Sequence, residues 1–138
     1  MSKYVALTNY IVKIKNDKIG EWSGDNTNND GSYERPLQMP FIIYTEIINS
    51  FVDDVNNFVD IHKEMELTSY GDILNKNELK WDYNSMAKAN VNLLDEQCTM
   101  ALIVAAIRAD RFSSGILLQF FEDGIILKWL ERLKEFNN

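Results

Sequence analysis

The sequence predicts an all-α fold: one compact domain over residues 1–138, with about five or six helices around a buried central helix. Three observations lead there. Apolar residues recur at three- and four-residue spacing through most of the chain. One run, Met100 to Ile107, is apolar on every side. No segment sustains the alternation of a half-buried strand, so no sheet is expected. Two prolines and six glycines in 138 residues leave room for long regular elements, and the length suits a single core.

The first helix is expected over about residues 3–16, where Tyr4, Leu7, Ile11 and Ile14 form a stripe with Val5 and Val12 beside them. A long polar loop at about 17–40 follows, containing "SGDNTNNDGSYERP". Its Asn, Asp, Gly and Ser carry turn chemistry and too little apolar surface to pack. In "YTEIINSFVDDVNNFVD", Ile47, Ile48, Phe51, Val52, Val55, Phe58 and Val59 share one helical face, and Thr45 stands where its hydroxyl would cap the first turn. The stretch "SYGDILNKNELKWDYNS" reads as one short helix near Asp72–Lys76 and connecting turns.

The central helix is expected over about Asn92 to Arg108, with Asp95, Glu96 and Gln97 at its positive end. A helix with no polar face is surrounded by protein. Ser113 or Ser114 would cap the next helix, with Ile116, Leu117, Phe120 and Phe121 inward. Gly124 would end it in the left-handed conformation. The last helix, about Ile125 to Phe136, turns Ile126, Trp129, Leu130 and Leu133 to one side. The aromatic segment Trp22–Tyr44 would lie across the surface of this bundle.

Charge and cysteine content narrow the function. The net charge is −7, and all the excess lies in residues 45–96, with eleven acids against four bases. Such a chain repels polyphosphate, which argues against direct nucleic-acid binding. The last helix sets Lys128, Arg132 and Lys134 beside Glu131 and Glu135, a poor groove-reading surface. One cysteine, Cys98, allows no internal disulfide and points to a reducing, cytoplasmic setting. The N-terminus has no apolar run of signal-peptide length, and none elsewhere approaches the ~20 residues of a membrane span. No membrane partner is expected.

Most catalytic motifs are absent. "NTNNDG" sets Asn26, Asn28, Asp30 and Gly31 at calcium-loop spacing, but position one lacks its aspartate and position twelve is Leu37. His62, the only histidine, sits in acidic company after a helix, with Asp60 and Glu64 at alternate rather than i, i+4 spacing. Cys98 has no basic neighbour in sequence to activate it. There is no phosphate loop, no G-x-S-x-G elbow and no Cys-x-x-Cys. No metal, no cofactor and no catalytic residue is expected. Arg108, Asp110, Arg111 and Phe112 stand where the buried helix emerges. They read either as arginines capping carbonyls and pairing with Asp110 or a distant carboxylate, or as an anion or partner site built on two guanidinium forks near Trp22 and Tyr44.

The segment "ALIVAAIRADRFSSGILLQFFEDGIILKWLERL" resembles an uncharacterised bacterial family of small, mostly helical proteins with an R-x-x-R-F-x-x-G motif. Arg108, Arg111, Phe112, Gly115, Gly124, Leu130, Arg132 and Leu133 occupy its positions. Upstream, Trp22, Asp30-Gly31, Pro40, Phe41, Tyr44 and Phe51 resemble its looser half, with phenylalanine where tyrosine would follow the proline. The resemblance implies a single helical domain and supplies no catalytic residue.

Three functions are carried forward. The first is a noncatalytic interaction or accessory factor, monomeric or homodimeric, with another protein as partner. The second is an acidic phage or mobile-element decoy, which needs Asp53, Asp54, Asp60, Glu64 and Glu66 to form one continuous face. The third is a small-ligand or enzymatic site near Arg108 and Arg111, which needs an enclosed pocket and arginines not satisfied by internal carboxylates.

Overall fold

The computed structural model describes residues 3–23 and 41–136, with the side chains of residues 22, 23 and 41 outside that description. The first stripe forms α1 (Val5–Thr8) and α2 (Tyr10–Asn16), interrupted at Asn9. Tyr4, Leu7, Tyr10, Ile11 and Ile14 are buried, while Val5 and Val12 face outward.

Two strands follow where none was expected. β1 (Gly20–Ser23) and β2 (Phe41–Tyr44) pair antiparallel, with Gly20 opposite Tyr44 and Trp22 opposite Ile42. Strands of four residues place two side chains on each face, too few for alternation to register as a pattern. Most of the polar loop, with the calcium-like residues Asn26 to Gly31 and Pro40, lies outside the described residues.

α3 (Glu46–Ile61) buries Ile48, Phe51, Val55, Phe58 and Val59. Thr45 holds the N-cap position without capping. Its hydroxyl and its amide both donate to the Ile19 carbonyl, at 3.1 and 2.9 Å, tying the helix to the entrance of β1. The expected cap is thus corrected, because a tertiary acceptor takes the hydroxyl.

Between α3 and the central helix the chain is more regular than its sequence suggested. Short three-ten turns at Lys63–Met65, Leu67–Ser69 and Val91–Leu93 alternate with α4 (Tyr70–Lys76) and α5 (Tyr83–Lys88). The described residues therefore hold eight α-helices, or seven if α1 and α2 are taken as one. Segments this short bury one or two residues apiece, so helical periodicity has no length over which to repeat.

α6 (Glu96–Ala109) is the central helix, and every residue from Cys98 to Ile107 is buried. It begins at Glu96 rather than Asn92, where the Asp95 carboxylate accepts the Cys98 amide at 2.8 Å. Thr99, a buried polar residue, returns its hydroxyl to the Asp95 carbonyl at 2.8 Å. α7 (Ile116–Glu122) and α8 (Ile125–Glu135) close onto α6, and Gly124 between them has φ +74°. α6 packs against α4, α7 and α8; α8 carries α1 and α2; α3 lies on α1, α2 and β2. Edge contacts from Tyr10 to Phe51 and from Phe51 to Phe121 stitch α2, α3 and α7 together. Among the described residues no helix is long and apolar enough to cross a membrane.

α4 ends in a motif normally built on glycine. The Leu79 amide reaches the Leu74 carbonyl at 2.9 Å and the Glu78 amide reaches Asn75 at 3.1 Å, with Glu78 itself at φ +61°. A side chain there costs about 1 kcal/mol relative to glycine. Glu78→Gly should therefore raise unfolding stability by about 0.5–1 kcal/mol in urea denaturation; a loss of stability would contradict this account of the turn.

Candidate functional site

Asp110 leaves the end of α6 and turns back over the start of α7. One of its oxygens accepts the amides of Gly115 and Leu117, at 3.1 and 3.2 Å. The Tyr44 hydroxyl donates to the same carboxylate, at 3.1 and 3.2 Å to its two oxygens. The Tyr44 oxygen in turn accepts the Leu118 amide at 3.2 Å. The Ser113 carbonyl takes the Ile116 amide at 3.1 Å. Every amide that opens α7 thus has an acceptor. No serine side chain caps this helix: Gly115, at φ +92°, holds the N-cap position. The expected Ser113 or Ser114 cap is replaced by a carboxylate five residues upstream of Gly115.

Gly20 sets the position of Tyr44. A Cβ on Gly20 would lie 2.9 Å from the Ile43 carbonyl and 3.2 Å from the Tyr44 ring, so only glycine lets β1 pair this closely. Burial, the charge of Asp110 and the hydrogen bond to it together push the Tyr44 phenol well above its usual range.

Beside this junction lies an open groove of about 490 Å³. Its floor is Ile48, Val52, Ile107 and Leu117, with Tyr44 at one end. One wall is α3, through Asn49, Asp53 and Asn56, spaced four and three residues apart on one face. The other wall is Arg108, Asp110 and Arg111. Arg111 follows Arg108 by one further turn, its amide bonded to the Arg108 carbonyl at 3.2 Å. Arg108 donates to the Asn56 side-chain oxygen at 3.1 Å. Neither arginine forms an ion pair among the described residues, and the expected pairing with Asp110 does not occur.

Four of the five site residues expected from sequence, Tyr44, Arg108, Asp110 and Arg111, therefore line one groove. Trp22 lies in β1 opposite Ile42, and its side chain is outside the described residues. The α3 wall was missed as part of this site. Its signal was present as Asn49, Asp53 and Asn56, but nothing in a one-dimensional pattern says which element faces them. Phe112 points elsewhere, 80 % exposed with its ring against Trp81.

The acidic residues differ in their local settings. Asp54 accepts the Tyr10 hydroxyl at 2.6 Å, Glu64 meets Lys3 and His62, and Asp53 belongs to the groove. Asp60 and Glu66 stand with Lys63 around a separate hollow. His62 ends α3, its ring against Phe58 at 4.3 Å. Burial, reinforced by the Asp95 charge, pushes the Cys98 thiol up to about 11, which leaves it unreactive at neutral pH. Among the described residues no three His, Cys, Asp or Glu side chains come together as a metal site. A second groove holds Lys88, Lys128 and Arg132, but Lys128 donates to the Ala87 carbonyl and Arg132 to that of Leu94, so two of these three cations close the fold.

A family model matches residues 2–138. The chain belongs to the family of unknown function DUF6508. No curated protein and no solved structure matches this DUF6508 chain. The family supplies no activity, so the chemistry of the DUF6508 groove rests on its own residues.

The junction and the raised phenols are both open to measurement. Tyr44→Phe removes the acceptor of the Leu118 amide and should destabilise the fold by about 1–3 kcal/mol. Hydrogen exchange should accelerate most at Leu118, and unchanged exchange there would contradict the junction described. Burial, with hydrogen bonds to Asp54 and Asp123, raises the phenols of Tyr10 and Tyr83 from 10.0 to about 12. A raised folded value favours the fold while the phenol is protonated. That stability is whole below pH 10 and is lost as pH climbs towards 12 and beyond. Alkaline titration followed by tyrosine Cζ resonances should show Tyr10 and Tyr83 ionising together with loss of helical circular dichroism; ionisation of either phenol in a fully helical chain at pH 10 would contradict it.

Proposed function

We propose that this chain is a noncatalytic binding protein, an accessory or regulatory factor, that takes an anionic group in the groove between α3 and the α6–α7 corner. One observation carries the reading: Arg108 and Arg111 line a groove without a carboxylate partner among the described residues. Asp110, the acid between them in sequence, is held by Tyr44 and by two α7 amides, facing away from the task of neutralising them. Guanidinium groups of this kind form short, paired hydrogen bonds with carboxylates.

The small-ligand form of the reading is favoured over the decoy form, because the acids needed for one continuous face stand in separate settings. Catalysis is not part of it. His62 lies outside the groove lining, and the Cys98 thiol is buried. Nucleic acid and membrane are not partners in this reading, since the cationic wall is two residues wide in a chain of net charge −7. The reducing, cytoplasmic setting belongs to it as well, with the lone cysteine free and buried.

The test is a titration of the ¹⁵N-labelled full chain with 4-methylpentanoate, an aliphatic carboxylate suited to the apolar floor. Shifts should centre on Arg108, Arg111, Asn56 and Val52, and Arg111→Gln should weaken binding about tenfold. Absence of shifts at these residues would overturn the proposal.

A further inference from the structure

The groove carries opposite charges on its two walls. Asp53 on α3 and Arg111 beyond α6 line the same groove, neither has a hydrogen bond or ion pair among the described residues, and the two do not pair with each other. Apart from Asn49, the remaining polar side chains of the lining are engaged. Asn56 accepts from Arg108, and Asp110 and Tyr44 hold the start of α7. Between the unpaired charges runs an apolar floor of Ile48, Val52, Ile107 and Leu117. A simple anion would meet the arginines but would also face the Asp53 carboxylate, a like charge that disfavours it. A simple cation would meet the converse. A molecule bearing both charges, separated by an apolar body, satisfies both walls at once.

We infer that the ligand of this groove is a small zwitterion of the amino-acid class, its carboxylate at Arg108 and Arg111, its ammonium at Asp53 and its apolar side chain over Val52 and Ile107. The inference rests on the anion-binding reading of the same groove and adds the cationic end. It makes Asp53 a specificity residue, separating amino acids from fatty carboxylates. Asn49, four residues before Asp53 on the same face, offers a neutral oxygen to the same ammonium.

The experiment compares three probes on the full chain by isothermal calorimetry: L-leucine, 4-methylpentanoate (leucine without its amine) and 3-methylbutylamine (leucine without its carboxylate). Leucine should bind about tenfold tighter than either truncated form, the size expected for one charge-assisted hydrogen bond. In Asp53→Asn, an exposed position outside the core, leucine should fall to the level of 4-methylpentanoate, whose own binding should not weaken. Asp60→Asn, seven residues further along the same helix face and outside the groove, should change nothing. If 4-methylpentanoate binds as tightly as leucine, or if Asp53→Asn leaves the leucine preference intact, the zwitterion inference is overturned and the anion site stands. If none of the three probes binds, both are overturned.

Discussion

The start of a helix leaves amide protons with no acceptor inside the helix, and at α7 one carboxylate and one phenol supply most of their acceptors. Asp110 takes the amides of Gly115 and Leu117, and Tyr44, bonded to Asp110, takes that of Leu118. The arrangement joins the end of α6, the start of α7 and the last residue of β2. Tyr44 is held in turn by the hairpin, which closes only because Gly20 has no side chain to meet Ile43. Thr45, next along the chain, fixes the start of α3 to Ile19. Five elements are thus referred to one small polar junction at the edge of an otherwise apolar core.

This junction also decides the electrostatics of the groove. An aspartate flanked in sequence by two arginines would ordinarily neutralise one of them. Asp110 is instead committed to α7, because leaving several helix-start amides unmatched costs more than forgoing a partly exposed ion pair. Among the described residues Arg108 and Arg111 therefore have no carboxylate partner, and Arg108 is held by the neutral amide of Asn56. Adjacent residues are thus divided in their contacts: the acid closes the fold and the two bases line the groove.

The large-scale plan was legible because it depends on local repetition. The all-round apolar run from Met100 to Ile107 is buried as α6, and the stripes Ile48–Val59 and Ile126–Leu133 face inward as expected. The elements that escaped were short. β1 and β2 have four residues each, and the turns between residues 63 and 93 bury single side chains with no period to detect. The caps escaped for another reason. Thr45 and the two serines had suitable side chains in suitable places, yet Ile19 took the hydroxyl of Thr45 and Asp110 supplanted the serines. Local preference lost to an acceptor or donor brought in from elsewhere.

By itself the sequence determined the helical class, the buried helix, the inward faces of its neighbours and the cluster of residues at the α6 exit. Hydrophobic burial follows periodicity, and periodicity is written along the chain. Tertiary structure alone decided which partner each polar group at that exit would have. It gave Asp110 to α7 and Tyr44, Asn56 to Arg108, and brought Asp53 and Arg111 to the lining of one groove. Hydrogen bonds and charge pairs are directional and short in range, so their outcome depends on which elements meet, and only the packed fold settles that.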